Sequence, residues 1–156
     1  MHIKKYSTIS KTDIEVVITS YNQGSMILEA VQSVCSQTLL PKRIIIVDDG
    51  STDKYSLEVL TSIKNNNELL VPVTIHFQKN SGVSAARNTG INKTQSSMVL
   101  ILDGDDNLET GYIEEVSKLL YDDPSMVIAS IMDAYFWSFR CSCLSFRRND
   151  SSFFIS

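Results

Sequence analysis

The sequence predicts an α/β fold: a mainly parallel sheet with flanking helices. Three observations lead there. Short apolar, β-branched runs alternate with stretches of helical spacing, the pattern of repeated βαβ units with right-handed crossovers. The runs are apolar at consecutive positions, as strands covered on both faces must be. Each of three runs ends in a polar cluster, at residues 19–22, 48–53 and 103–107. In such sheets ligands bind outside the carboxyl ends of the strands, where the strand order reverses. The polar clusters therefore mark the candidate site.

Taken in order, Glu15–Ser20 reads as the first strand, ending in the turn Tyr21–Gly24. From Ser25 a helical pattern places Ile27, Val31, Val34 and Cys35 on one face, and Pro41 closes the connection. Arg43–Val47 is the second strand, followed by Asp48–Asp53, a turn rich in helix-capping residues. Ser51 and Asp53 are expected to cap a helix that runs to about Ile63 and breaks at Asn65–Asn67. Val73–Phe77 is the third strand, and Ser81-Gly82 opens a helix carrying Val83, Ala86 and Ile91. Val99–Leu102 is the fourth strand. Thr110 is expected to cap a helix with Ile113, Val116 and Leu120 inward, stopped by Asp123-Pro124. Met126–Ala129 reads as a fifth strand. The glycines fall mostly at turns or helix starts.

At 156 residues the chain is one domain by size, and 43% hydrophobic with 21% charged residues suits a soluble globular core. A net charge of -4 gives no basic footprint for nucleic acid, so a phosphate ligand would need local donors or a metal. No apolar run approaches the ~20 residues of a membrane helix, and residues 1–13 hold no apolar signal segment. Cys35, Cys141 and Cys143 make neither a disulfide framework nor a zinc spacing. The expectation is a reduced, cytoplasmic chain.

The Val99–Asn107 stretch carries the sharpest chemistry. Its apolar run ends in Asp103-Gly104-Asp105-Asp106, three carboxylates whose repulsion a cation would offset. Mg²⁺ typically takes one or two protein carboxylates together with substrate phosphates. The competing reading is an Asp-rich turn ahead of a helix. Acids at the ends of two separate strands favour the ligand site over the turn. Neither a P-loop nor a G-x-G-x-x-G fingerprint is present, so diphosphate charge would be met mainly by a metal. At the second strand's end, Asp48 or Asp49 has the chemistry to accept from a base imide or a ribose hydroxyl.

Five blocks together resemble family 2 glycosyltransferases of the GT-A fold: Val17–Asn22, Ser36–Thr38, Ile46–Asp53, Asn80–Ile91 and Leu102–Asp106, across roughly residues 13 to 130. The resemblance implies the nucleotide-sugar-binding, Rossmann-like half of a GT-A domain, with a UDP-linked sugar as donor and Mn²⁺ or Mg²⁺ as cofactor. It implies Thr19 and Tyr21 beside the base, Asp49 on its imide edge and Arg87 near the nucleotide pocket. Asp103-Gly104-Asp105 would be the family's D-x-D element: Asp103 towards the ribose and Asp105 on the metal, with Asp106 a second acid. The implied partners are the donor and a glycan or lipid-linked acceptor, and the implied activity is inverting sugar transfer for polysaccharide or glycolipid synthesis. Peripheral contact with the inner face of a membrane stays open. On ordinary grounds Arg87 would be a salt-bridged surface residue, His76 packing or surface, Cys35 core, Asp48 loop structure and Tyr21 a cover on the sheet edge.

The acidic motif that supplies the family's catalytic base is absent from the fifty or so residues after Asp106, so no base is assigned. The expected divisions are an N-terminal extension (1–13), a nucleotide-sugar-binding domain (14–131) and an atypical tail (132–156). That tail holds five of the six Phe, the single Trp and two of the three Cys without clear periodicity, and reads as frameshifted or disordered. The alternative function is a truncated, non-catalytic sugar-nucleotide-binding remnant or pseudoenzyme.

Overall fold

The computed structural model describes residues 12–122 together with strand residues 128–129 and 144–147. The elements run β1 (Ile14–Ser20), α1 (Met26–Cys35), β2 (Arg43–Asp48), α2 (Lys54–Asn65), β3 (Val73–Phe77), α3 (Val83–Lys93), β4 (Met98–Asp103), α4 (Tyr112–Asp122), β5 (Ile128–Ala129) and β6 (Leu144–Arg147). The sheet order is β3-β2-β1-β4-β6-β5. Strands β3, β2, β1 and β4 are parallel, whereas β6 is antiparallel to both β4 and β5.

Three helices and their core cover one face of the sheet. Ile27, Val31 and Val34 of α1, Leu60 and Ile63 of α2, and Ile113, Val116 and Leu120 of α4 pack with Val16, Ile18, Ile44, Ile46, Leu100 and Leu102. The other face carries α3, whose Ala86 and Ile91 pack with Val17, Ile45, Val47, Val99 and Ile101. Alternate residues of each central strand thus enter opposite cores, which is why the runs are continuously apolar. Each fully buried Ile or Leu side chain contributes roughly 1.5–3 kcal/mol of hydrophobic stabilisation before chain entropy is counted.

The chain winds outward through β1, β2 and β3, then crosses by α3 to β4 on the other side of β1. The order reverses between β1 and β4, and a crevice at that point is where this architecture binds ligands.

Several sequence expectations need correction. Gly111, with φ of +92°, directly precedes α4, so Thr110 lies one residue outside the N-cap position it was expected to fill. Val83 is exposed instead of facing the core with Ala86 and Ile91. Gly90 sits inside α3, not at a turn. Within the segment read as lacking periodicity, Leu144–Arg147 forms a strand inserted between β4 and β5. Asp123-Pro124, Met126 and the remainder of the tail lie outside the described residues.

Candidate functional site

Strand register lines up the polar clusters before any side chain is considered. Thr19 lies opposite Asp103 across the β1–β4 pair, and Ser20 lies opposite Asp48 across β1–β2. The carboxyl ends of β1, β2 and β4 are therefore level.

At the switch point, Thr19 Oγ1 donates to Asp103 Oδ1 at 3.0 Å. Arg87 Nη2 donates to both oxygens of Asp103, at 2.9 and 2.7 Å, and its Nε lies 3.3 Å from Oδ1. This charge-assisted pairing fixes the guanidinium plane. Both side chains keep about a fifth of their surface exposed, 22% for Arg87 and 19% for Asp103, so the pair is screened but not dispersed. Helix α3 brings Arg87 here because Gly90, one turn later, lets it press on β1. A Cβ at Gly90 would overlap Val17 Cγ1 and stand 3.1 Å from Cγ2.

Asp49 does a different job. Its Oδ1 accepts from Gln78 Nε2 at 2.7 Å and from the Ser81 amide at 2.9 Å, and its Oδ2 accepts from the Gly82 amide at 2.8 Å. It is buried, and it ties the end of β2 to the loop that opens α3. A carboxylate offers about four lone-pair directions, so one remains for a further donor. Asp48, also buried, accepts from the Ser51 amide and hydroxyl, a loop-structuring role as expected. Asp53 caps α2 through the Ser56 amide at 2.8 Å, and the Ser56 hydroxyl and amide hold its carboxyl below the ordinary value of 3.8. Ser51 does not cap; it accepts from the Asn22 amide at 2.8 Å.

After Asp103 the chain turns, with the Asp106 amide donating to the Asp103 carbonyl at 3.0 Å. Asp105 is exposed and Asp106 half-buried. Gln23 Nε2 donates to Asp105 Oδ1 at 3.3 Å. The loop beyond is bolted to the segment that follows α1 by Gln37, whose amide reaches the Glu109 carbonyl at 2.8 Å and accepts from the Ile113 amide at 3.2 Å. Thr38 adds a bond to Glu114 at 2.9 Å, and Lys118 with Thr38 lowers the Glu114 carboxyl from its usual range.

Among the described residues no group of three His, Cys, Asp or Glu side chains stands ready to hold a metal. The donor set suits a different arrangement. Asp103 is engaged by Arg87 and Thr19, and Asp105 and Asp106 are the further carboxylates of the turn, a pair whose chemistry suits an ion completed by substrate phosphates and water, the usual Mg²⁺ pattern. Two of four buried, unpartnered polar atoms among the described residues, Ser20 Oγ and Gln23 Oε1, fall in this corner. Native structures leave few such atoms, and each calls for a cause such as a bound water or ion or a functional role.

Of the seven residues expected to form the site, the structure brings Thr19, Arg87 and Asp103 into one hydrogen-bonded group, with Asp105 and Asp106 on the adjoining loop. Tyr21 is exposed on the loop after β1, and Asp49 belongs to the neighbouring β2 loop. Sequence reasoning gave no role to Asn22, Gln23, Gln37 or Gln78. Asn22, with φ of +52°, accepts at its Oδ1 from the Thr52 and Asp53 amides at 2.8 and 2.9 Å, joining the β1 and β2 loops. Its place in the polar cluster at 19–22, two residues before Gly24, was the available signal.

A mainly parallel α/β sheet whose order reverses at β1/β4, with acids and one fixed arginine at that switch point, has the architecture of the GT-A class. The sequence profile described as glycosyl transferase family 2 matches residues 15–140, and the chain belongs to that family. The chain is 32% identical over 128 residues to a cholesterol galactosyltransferase of Borreliella burgdorferi, covering 82% of this chain and 35% of that protein. It is 35% identical over 105 residues to the uncharacterized glycosyltransferase YwdF of Bacillus subtilis, covering 67% and 37%. The chain thus spans about a third of the length of these relatives. Among solved structures it resembles the mannosyltransferase PcManGT of Pyrobaculum calidifontis in complex with GDP-Man and Mn²⁺, with a TM-score of 0.71 at 20% identity over 87% of this chain and 44% of that one. S. aureus TarS 1-349 with UDP-GlcNAc gives a TM-score of 0.63 at 20% identity over 80% and 38%. These two likenesses establish the GT-A fold. No helix among the described residues is long and apolar enough to cross a membrane.

Proposed function

We propose that this chain is the donor half of a glycosyltransferase that takes a sugar from a UDP-linked donor, with Mn²⁺ or Mg²⁺, and passes it with inversion to a glycan or lipid-linked acceptor. The observation that carries the reading is the Thr19–Asp103–Arg87 group at the β1/β4 switch point, with Asp105 and Asp106 beside it.

Each residue has a task that follows from its setting. Arg87 is a fixed cation at the mouth of the crevice, and a diphosphate would meet it without reorganising the helix. Asp103, held on two sides, presents a fixed acceptor edge to ribose hydroxyls. Tyr21, exposed on the loop after β1, and Thr19 would border the base, and Asp49 keeps one lone pair for an imide N–H. Asp105 and Asp106 would hold the divalent ion, which when bound supplies Lewis-acid stabilisation of the departing nucleotide diphosphate. The base that deprotonates the acceptor is not among the assigned residues.

Calorimetric titration of UDP into the chain, with and without Mn²⁺, tests this. The expected result is tighter binding with the metal, with that gain lost in Asp105→Ala. Equal affinities with and without metal in a chain shown to be folded by circular dichroism would refute it. A parallel titration with GDP checks the choice of base.

A further inference from the structure

The β1–α1 turn contributes one side chain to the acidic loop, and it has no role in the site as described so far. Gln23 lies across the Asp103-Gly104-Asp105 turn. Its Nε2 faces Asp105 Oδ1 at 3.3 Å, while its Oε1 is buried without a hydrogen-bond partner among the described residues. The turn is shaped around this amide. A Cβ on Gly104 would overlap Gln23 Oε1 and stand 2.5 Å from the Thr19 carbonyl oxygen, so only glycine leaves room for both. Leaving an amide oxygen buried and unpaired is costly. The arrangement persists with the other end of the same amide on a carboxylate that is otherwise exposed.

We infer that Gln23 is the positioning residue for Asp105, holding its carboxylate on the turn after β4 so that it meets the metal–diphosphate without first being ordered. The inference rests on the proposed metal role of Asp105. Free carboxylates on exposed turns sample several rotamers, and fixing one in advance removes that cost from binding. Gln23 acts on the metal-dependent part of nucleotide affinity and leaves the metal-independent part alone.

The test compares UDP affinity, with and without Mn²⁺, in the unmodified chain, Gln23→Ala, Gln23→Met, Asp105→Ala and the Gln23→Ala/Asp105→Ala pair. Gln23→Met keeps the chain length over Gly104 and removes only the amide, so it serves where Gln23→Ala fails to fold. Both Gln23 variants are expected to lose about five-fold in the Mn²⁺-dependent gain, the worth of one weak charge-assisted bond, with metal-free affinity unchanged. In the Asp105→Ala background the second substitution should add nothing, because the two residues act as one unit. A second readout needs no metal: the Gln23 side-chain amide resonances should move in Asp105→Ala. Gln23 variants that match the unmodified chain while Asp105→Ala loses the metal effect would overturn the inference and leave the proposed function standing. Equal losses with and without metal, or unmoved amide resonances, would also overturn it. A metal effect absent from the unmodified chain would sink the proposed function, and the inference with it.

Discussion

Gly90→Ala is the substitution in which packing and site chemistry are most directly joined. By helix propensity alone it should stabilise, since Gly inside a helix costs about 0.5–1 kcal/mol relative to Ala. The structure predicts the opposite. The new Cβ would overlap Val17 Cγ1 and lie 3.1 and 3.2 Å from Val17 Cγ2 and Cβ. Comfortable carbon–carbon contact is about 3.5–4.0 Å, so α3 must withdraw by about 1 Å or Val17 must leave its rotamer. Val17 is fully buried in the small core beneath α3. Overpacking of this kind costs about 1–3 kcal/mol, and a contact this close against a buried side chain belongs at the upper end, which leaves a net destabilisation of about 2 kcal/mol after the propensity gain. Withdrawal also carries Arg87 away from Asp103, whose shortest contact is now 2.7 Å. Nucleotide affinity should fall about ten-fold, the worth of a charge-assisted pair. Urea unfolding and UDP titration of the same preparation measure both effects. Adding Val17→Ala removes the obstructing methyls and should restore Arg87's position, seen as a favourable coupling in the double-mutant cycle. A Gly90→Ala chain as stable as the original, with unaltered nucleotide affinity, would refute the reasoning.

Asp49→Asn should destabilise the chain by about 2–3 kcal/mol, because an amide donor would then face one of three N–H donors; faster hydrogen exchange at Ser81 and Gly82 is the local sign. Gln37→Ala should release the 104–111 loop from α1, costing about 2 kcal/mol through the unpaired Ile113 amide and Glu109 carbonyl, measured by urea unfolding. The carboxyls of Asp13, bonded to Ser97, and Asp53, bonded to Ser56, sit below the ordinary 3.8, so the folded state holds these protons less tightly than the unfolded one. Their contribution is complete above 3.8 and is lost as pH falls through the folded values; Asp53→Asn should make the acid limb of the urea midpoint shallower. Burial raises the Cys35 thiol above its ordinary 9.0, so alkylation at neutral pH should be slow in the folded chain and fast in urea.

The parallel β1–β4 scaffold was legible because it rests on rules that act locally: continuous apolar runs, Gly/Asp turns and helical spacing. The expected fourth strand, Val99–Leu102, became Met98–Asp103, an extension that carries the first acid onto the sheet itself. The motif acids were legible too, since Asp103, Asp105 and Asp106 are close in sequence and must be close in space. What joins distant segments was not. Nothing near Gly90 in sequence announces that Val17 lies against it, and a glycine in a helix reads as a weak position until the close approach is seen. Gln23 and Gln37 are one polar residue type among many until the fold sets them against the acidic loop. The strand at Leu144–Arg147 escaped because a four-residue antiparallel strand within a composition-biased segment has too few alternations to register.

The two sides of the site rest on different foundations, and this bears on how the site responds to damage. Asp105 and Asp106 ride on a loop that Gln37 and Leu108 fasten to α1, and so to the larger core: the Leu108 amide donates to Ser33 Oγ at 3.0 Å, and Leu108 itself is buried there. Arg87 rides on α3, whose apolar contact with the sheet is the smaller core. A lesion in the larger core therefore reaches the acids first, and a lesion under α3 reaches the arginine first. Because Asp103 is bonded to Arg87 and also begins the acidic turn, it is the one residue that feels both. Substitutions in the two cores should add in global stability yet couple in nucleotide binding, through Asp103. Additivity in both quantities would show that Arg87 and the acidic loop engage the nucleotide independently.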